Sequence, residues 1–184
     1  MVLETVVTTI NSDGSINCAA MGVEWGEQRI LIKPFRGTRT LRNLRATREA
    51  VVNLTDDILL FSQAALGDPH PPTRPAAHVE GAILEDACSW REVRVEAIDD
   101  GERARITTAV LGGGTGREFL GFNRACHAVL EASILASRAR LLDPARIRTE
   151  LEQLQVLVDK TAGPREREAM AYVIKALARA CECE

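Results

Sequence analysis

Few of the residues that most chemistries lean on are present: aromatic side chains make up 4% of the 184 residues and histidines number three. So few rings exclude a module that stacks nucleic-acid bases. HxxxH and GxSxG are both missing, which leaves zinc hydrolysis and serine chemistry without a motif. The five cysteines (Cys18, Cys88, Cys126, Cys181, Cys183) are odd in number and form no CxxC pair, so they are read as reduced thiols. The terminal "CECE" could catch a soft metal but has no partner cluster. No run reaches the ~18 to 20 apolar residues of a spanning helix, and "MVLETVVTTINSDG" lacks the basic-then-apolar order of a signal peptide. A cytoplasmic protein without a membrane or nucleic-acid partner is expected. Charge of one sign is also lacking: 23 Lys+Arg against 26 Asp+Glu leave a net charge of −3, so any anion site must be local.

What is present is ordinary for a globular chain of one or two domains, with 46% hydrophobic and 27% charged residues and a mean hydropathy of −0.07. Residues 1 to 115 read as β-rich. "LETVVTTI" alternates, "NSDGS" is a turn, and "INCAAMGVEW", "QRILIKPF", "EAVVNLTDD", "HVEGAILEDACSWREVRVEAID" and "ERARITTAVL" continue as strands, with "DDGE" as the hairpin between the last two. Short strands, turn signals and one brief helix, "TLRNLRATRE", indicate an antiparallel barrel or sandwich. "ALGDPHPPTRPAAH" holds four of the seven prolines and reads as a surface loop or lid. "GGGTG" lacks the GK[ST] of a P-loop and the spacing of a dinucleotide fingerprint, so a flexible hinge is expected there, with Arg117 beside it.

Residues 116 to 184 read as a subdomain of three helices. The first is "EFLGFNRACHAVLEASILASRARLL"; the second opens at the Asp143 cap and Pro144 and carries an apolar stripe of Ile147, Leu151, Leu154 and Val158; the third opens at Pro164, after Gly163.

The concentration of cations and hydroxyls in "KPFRGTRTLRNL" has two explanations. Arginines solvate exposed turns; a phosphate, equally, wants Arg36 or Lys33 as charge-assisted donors, Thr38 and Thr40 hydroxyls, and a helix start capped by Thr40. Asn17 sits in a strand of small apolar residues and Asn53 ends another, where each could simply satisfy a turn or meet a ligand. In the first long helix Asn123, Arg124, His127, Glu131 and Arg138 fall in one sector, a polar stripe that suits either an ion-pair network between protomers or a substrate cavity with a proton relay.

The order of "NCAAMG", a strand, "KPFRGTRTLRNL", "VVNLTDD" and "EGAILEDAC" resembles the FMN-binding split-barrel proteins of the flavin-reductase-like type. Within them the chain looks most similar to a domain-of-unknown-function family whose members append a helical C-terminal region. The resemblance implies an α+β fold, a six-stranded antiparallel Greek-key split β-barrel followed by a C-terminal helical subdomain. It also implies a homodimer with non-covalent FMN. Carried over by position, Asn17, Ala19, Ala20 and Met21 would lie along the isoalloxazine, while Arg36, Thr38, Thr40 and Asn43 would hold the phosphate with Lys33 nearby. One departure is Ala20 or its neighbour, where family members tend to carry Pro. Asn123, Arg124, His127 and Glu131 are the substrate-side candidates. The function expected is a flavoprotein oxidoreductase of unspecified acceptor, or else a non-catalytic dimeric binding module for flavin or another phosphorylated ligand.

Overall fold

In the computed structural model of the chain, residues 1–101 and 103–182 are described. Glu102 of the expected "DDGE" hairpin and Cys183 of the terminal thiol pair lie outside them. Two compact units emerge: Met1–Thr55 with His70–Phe119, and Asp56–Pro69 with Leu120–Glu184.

The first unit is a closed antiparallel barrel. Its strands are β1 (Val2–Ile10), β2 (Ile16–Glu24), β3 (Arg29–Ile32), β4 (Glu49–Leu54), β7 (Ser89–Asp99) and β8 (Arg105–Thr115), in the order β1-β2-β3-β8-β7-β4. The β1–β2 turn places Gly14 at φ 82°, open to glycine at no steric cost. Alternation fills the interior: Val7, Val23, Ile30, Ile32, Val52, Val93, Val95 and Ile106 point inward, and Leu41 and Leu44 of helix α1 (Arg39–Ala46) join them. Each such side chain contributes roughly 1.5–3 kcal/mol by leaving water.

The other face of β1 and β4 is buried as well. A hairpin of β5 (Thr73–Pro75) and β6 (Ala82–Leu84) covers it, with Val51, Val79 and Ile83 packed together. Thr8 donates to the Ala82 carbonyl, and Asn53, fully buried, accepts the Leu84 amide at 3.0 Å while donating to the Val6 carbonyl at 3.1 Å. Asn53 is thus a structural cross-link. The proline segment is not only a loop, as the sequence suggested, because its prolines fall where no ladder donor is needed. The Glu85 amide bonds the Pro72 carbonyl and the Ala76 amide bonds the Gly81 carbonyl, which turns the nitrogen of Pro75 away from β6.

The expected hinge at "GGGTG" is also corrected. Residues 112–115 belong to β8, where Gly114 pairs with Trp90 and Gly112 with Glu92. Glycine is required there because the indole of Trp90 lies against Gly114: a Cβ would stand 2.5 Å from its Cζ2.

The second unit is helical: α2 (Ile58–Leu66), α3 (Arg124–Ser137), α4 (Pro144–Thr161) and α5 (Pro164–Glu182). α2 went unread because Ile58, Leu59, Leu60 and Phe61 are all buried, so the helix has no polar face to reveal its period. Asp57 caps it, accepting the Leu59 and Leu60 amides at 3.1 Å, and pairs with Arg165 of α5. The long helix expected from residue 118 starts only at 124, since Asn123 caps it and Gly121 takes φ 105°. α4 opens at Asp143 and Pro144 as expected, with Ile147 and Val158 buried. Among the described residues no helix is long and apolar enough to cross a membrane.

Candidate functional site

The barrel is incompletely laced between β2 and β3. β3 pairs only with Val23 and Glu24, so among the described residues no strand lies beside the edge of β2 from Asn17 to Gly22. The phase of that edge follows from two amide bonds in the β1–β2 ladder, Trp25 to the Met1 carbonyl and Asn11 to the Ser15 carbonyl. They direct the peptide groups of Asn17, Ala19 and Met21 toward β1 and those of Ala20 outward, to the unlaced side. Ala19 to Gly22 are half-buried on both faces of the strand, and their side chains are small apart from Met21.

A basic loop follows β3 and leads into α1. Thr38, not Thr40, caps this helix: its hydroxyl accepts the Leu41 amide at 3.3 Å and donates to the Phe35 carbonyl at 2.8 Å. The first turn of α1 carries no acidic residue, and Gly37, at φ 78°, opens the bend before it. Arg36 is exposed and gives one terminal nitrogen to the Asp100 and Gly101 carbonyls, its bonds among the described residues. Lys33 pairs with Glu24 across the β2–β3 gap, and its ammonium holds the Glu24 carboxyl below the usual carboxylate range.

Thr40, Asn17 and Asn43 lie behind this edge and loop. All three are buried and bonded to one another's neighbours. Asn17 donates to Thr9 and to Thr40, both at 3.1 Å; Asn43 donates to Thr9 at 3.0 Å and to Asn11 at 2.8 Å. Both hydrogens of each amide are thereby spent inside the protein. Thr9, the hub, was missed: a Thr in "VVTTI" looks like any β-branched strand residue.

On α3 the polar stripe faces away from its unit. Arg124, His127, Glu131 and Arg138 are exposed, whereas Ala125, Ala128, Val129, Ala132, Ser133 and Leu135 are buried. Asn123 spends its side-chain oxygen on the Ala125 amide at 2.8 Å, and His127 stacks on Phe122 with ring centres 5.9 Å apart.

The barrel unit is thus a closed six-stranded antiparallel Greek-key barrel, unlaced at one seam. The chain belongs to the family described as protein of unknown function (DUF447): the N-terminal domain of that family matches residues 3–116, and its second part matches residues 123–175. Solved structures agree on the fold. An FMN-bound protein of this family from Methanosarcina mazei superposes with a TM-score of 0.81 at 21% identity, covering 95% of this chain and 94% of that one. The FMN-binding protein of Thermus thermophilus with bound p-hydroxybenzaldehyde gives 0.55 at 13% identity, over 65% and 75% of the two chains. The flavin reductase of styrene monooxygenase from Pseudomonas putida S12 gives 0.53 at 18% identity, over 62% and 79%.

Proposed function

We propose that the chain binds FMN non-covalently along the unlaced edge of β2 and works as a cytoplasmic, homodimeric oxidoreductase of the flavin-reductase-like type. One observation carries the reading: an unlaced strand edge, with the peptide groups of Ala20 turned outward, opens beside a basic loop and an acid-free helix start. The donor set fits the cofactor. A flat ring with a polar rim matches a half-buried run of small residues offering a free N–H and C=O; a phosphate matches Arg36, Thr38 and the first amides of α1. FMN, when bound, supplies the electron transfer, and the protein's share is to bind, orient and shield it.

In this reading Ala19, Ala20 and Met21 line the ring and Arg36 and Thr38 meet the phosphate. Lys33 is shared with Glu24, while Asn17, Thr40 and Asn43 fix the geometry from behind. Arg124, His127 and Glu131 are the substrate candidates of the helical unit by itself, an exposed polar face of α3, with Asn123 setting where their helix begins. The second reading is a non-catalytic binder of flavin or another phosphorylated ligand.

FMN titration followed by flavin fluorescence tests the binding. Saturable quenching that Arg36→Ala weakens for FMN but not for riboflavin supports it, and absence of binding refutes it. Oxidation of NADH or NADPH by the FMN-loaded protein separates the two readings: a flavin that neither nucleotide reduces favours the binding role.

A further inference from the structure

A second cluster of charged groups lies on the outer wall of the barrel. Glu92 of β7 is 2% exposed and stands opposite Val51 of β4 and Gly112 of β8. Its Oε2 accepts the main-chain N–H of His78 at 2.5 Å and faces Nδ1 of the same residue at 3.3 Å; its Oε1 accepts the Trp90 indole N–H at 3.3 Å. Burial pushes the carboxyl upward, but these donors more than offset it and hold the group below its ordinary range. Glu92 is therefore ionised near neutral pH.

The imidazole is not what fastens this segment. The chain at residues 76–81 hangs on main-chain amides, that of His78 on Glu92 and that of Glu80 on Glu49 at 2.6 Å, and on Val79 buried with Val51 and Ile83. Yet β8 makes room for the ring. A Cβ at Gly112 would run into Nδ1 of His78, and glycine within a strand sacrifices backbone entropy and packing. The His78 side chain is 54% exposed against 3% for Glu92, so the imidazole reaches solvent while its Nδ1 faces the buried carboxylate. Arg74 lies 4.4 Å over the Trp90 ring, adding a cation to the same cluster.

We propose that His78 and Glu92 form a proton-transfer dyad serving a small, weakly acidic aromatic molecule. Donation of Nδ1–H to Glu92 selects the tautomer whose Nε2 carries the lone pair. The proton moves from the bound molecule to Nε2, the imidazolium formed is held by the Glu92 carboxylate, and the conjugate base left behind meets the Arg74 guanidinium. Water then removes the proton from Nε2. The fold built the seat in Gly112 and the orienting carboxylate in Glu92, while the strap itself does not need the ring. The dyad stands independently of flavin binding.

The test uses 5-nitrobenzisoxazole with the full chain, free of FMN. A base takes the ring C–H proton, the N–O bond breaks, and the coloured 2-cyano-4-nitrophenolate appears. The rate above buffer is expected to fall by at least about a hundredfold in His78→Gln, the lower end of the usual range of general-base effects. Gly112→Ala, which evicts the ring from its seat, is expected to lower it similarly, and the double variant to be no slower than His78→Gln alone. Far-UV circular dichroism and thermal melting accompany each variant. Equal rates for wild type and His78→Gln, with any stability change, reduce the pair to a fastener and overturn the proposal. An unchanged rate in Gly112→Ala also overturns it.

Discussion

The Asn17 amide and the Thr40 hydroxyl meet at 3.1 Å, fastening β2 to the first turn of α1. The buried Thr9 hydroxyl accepts from Asn17 and from Asn43, so β1, β2 and α1 converge on one oxygen. Thr9→Val leaves two buried amides short of an acceptor and is expected to cost about 1–3 kcal/mol in urea unfolding. Thr9→Ser restores the oxygen and most of the stability. In FMN titration the Val variant is expected to bind more weakly while the Ser variant stays near wild type.

Glycine serves two different needs in this barrel, and two substitutions separate them. Gly114→Ala drives a Cβ into the Trp90 indole, a rigid neighbour, and is expected to lower stability by about 1–3 kcal/mol. Gly14→Ala meets nothing within 4 Å but must hold φ 82°, with an expected cost of about 1 kcal/mol. Chemical denaturation of both variants checks the order.

Burial pushes the Cys126 thiol up to about 12, aided by the charges of Glu166, Asp56 and Asp57. Its neutral form is favoured in the folded protein, so the contribution to stability is complete below the ordinary thiol range. It is lost as pH rises through about 9 toward 12. Alkylation of Cys126 by iodoacetamide at pH 8.5 is expected to be slow until denaturant is added, as read by peptide mass spectrometry.

Asp57 both caps α2 and pairs with Arg165. Asp57→Ala is expected to cost about 0.5–2 kcal/mol for the cap, plus a smaller sum for the pair, whose arginine is half exposed. Asp57→Ser keeps a capping oxygen and loses only the pair. Thermal melts should therefore rank wild type, Ser, then Ala.

Much of the barrel was legible because alternation and turn residues reflect local geometry. Gly14, Asp143 with Pro144, and the stripe through Ile147 and Val158 each appear where the spacing predicted them. Features set by distant contacts were not legible. The run "ILLFSQAAL" hides its helix because it is covered on all sides, and "GGGTG" reads as a hinge unless Trp90 is known to lie across it. At the candidate site the basic loop and the small residues of β2 could be seen in the sequence. That Asn17 and Asn43 spend their donors on Thr9 could not, because hydrogen-bond partners 8 and 34 residues away leave no periodic mark. Glu92 was hidden likewise: in "SWREVRV" an acidic residue at an alternating position looks solvated, yet the strap over it buries it.

Helix α2 is encoded between β4 and β5 but belongs with helices that begin more than fifty residues later. No single cut separates this chain into two self-sufficient pieces: a fragment ending near residue 119 would keep the barrel strands and expose the apolar surface of Ile58, Leu59, Leu60 and Phe61. On the ribosome the same apolar segment must wait, unsheltered, until α3 and α5 have emerged.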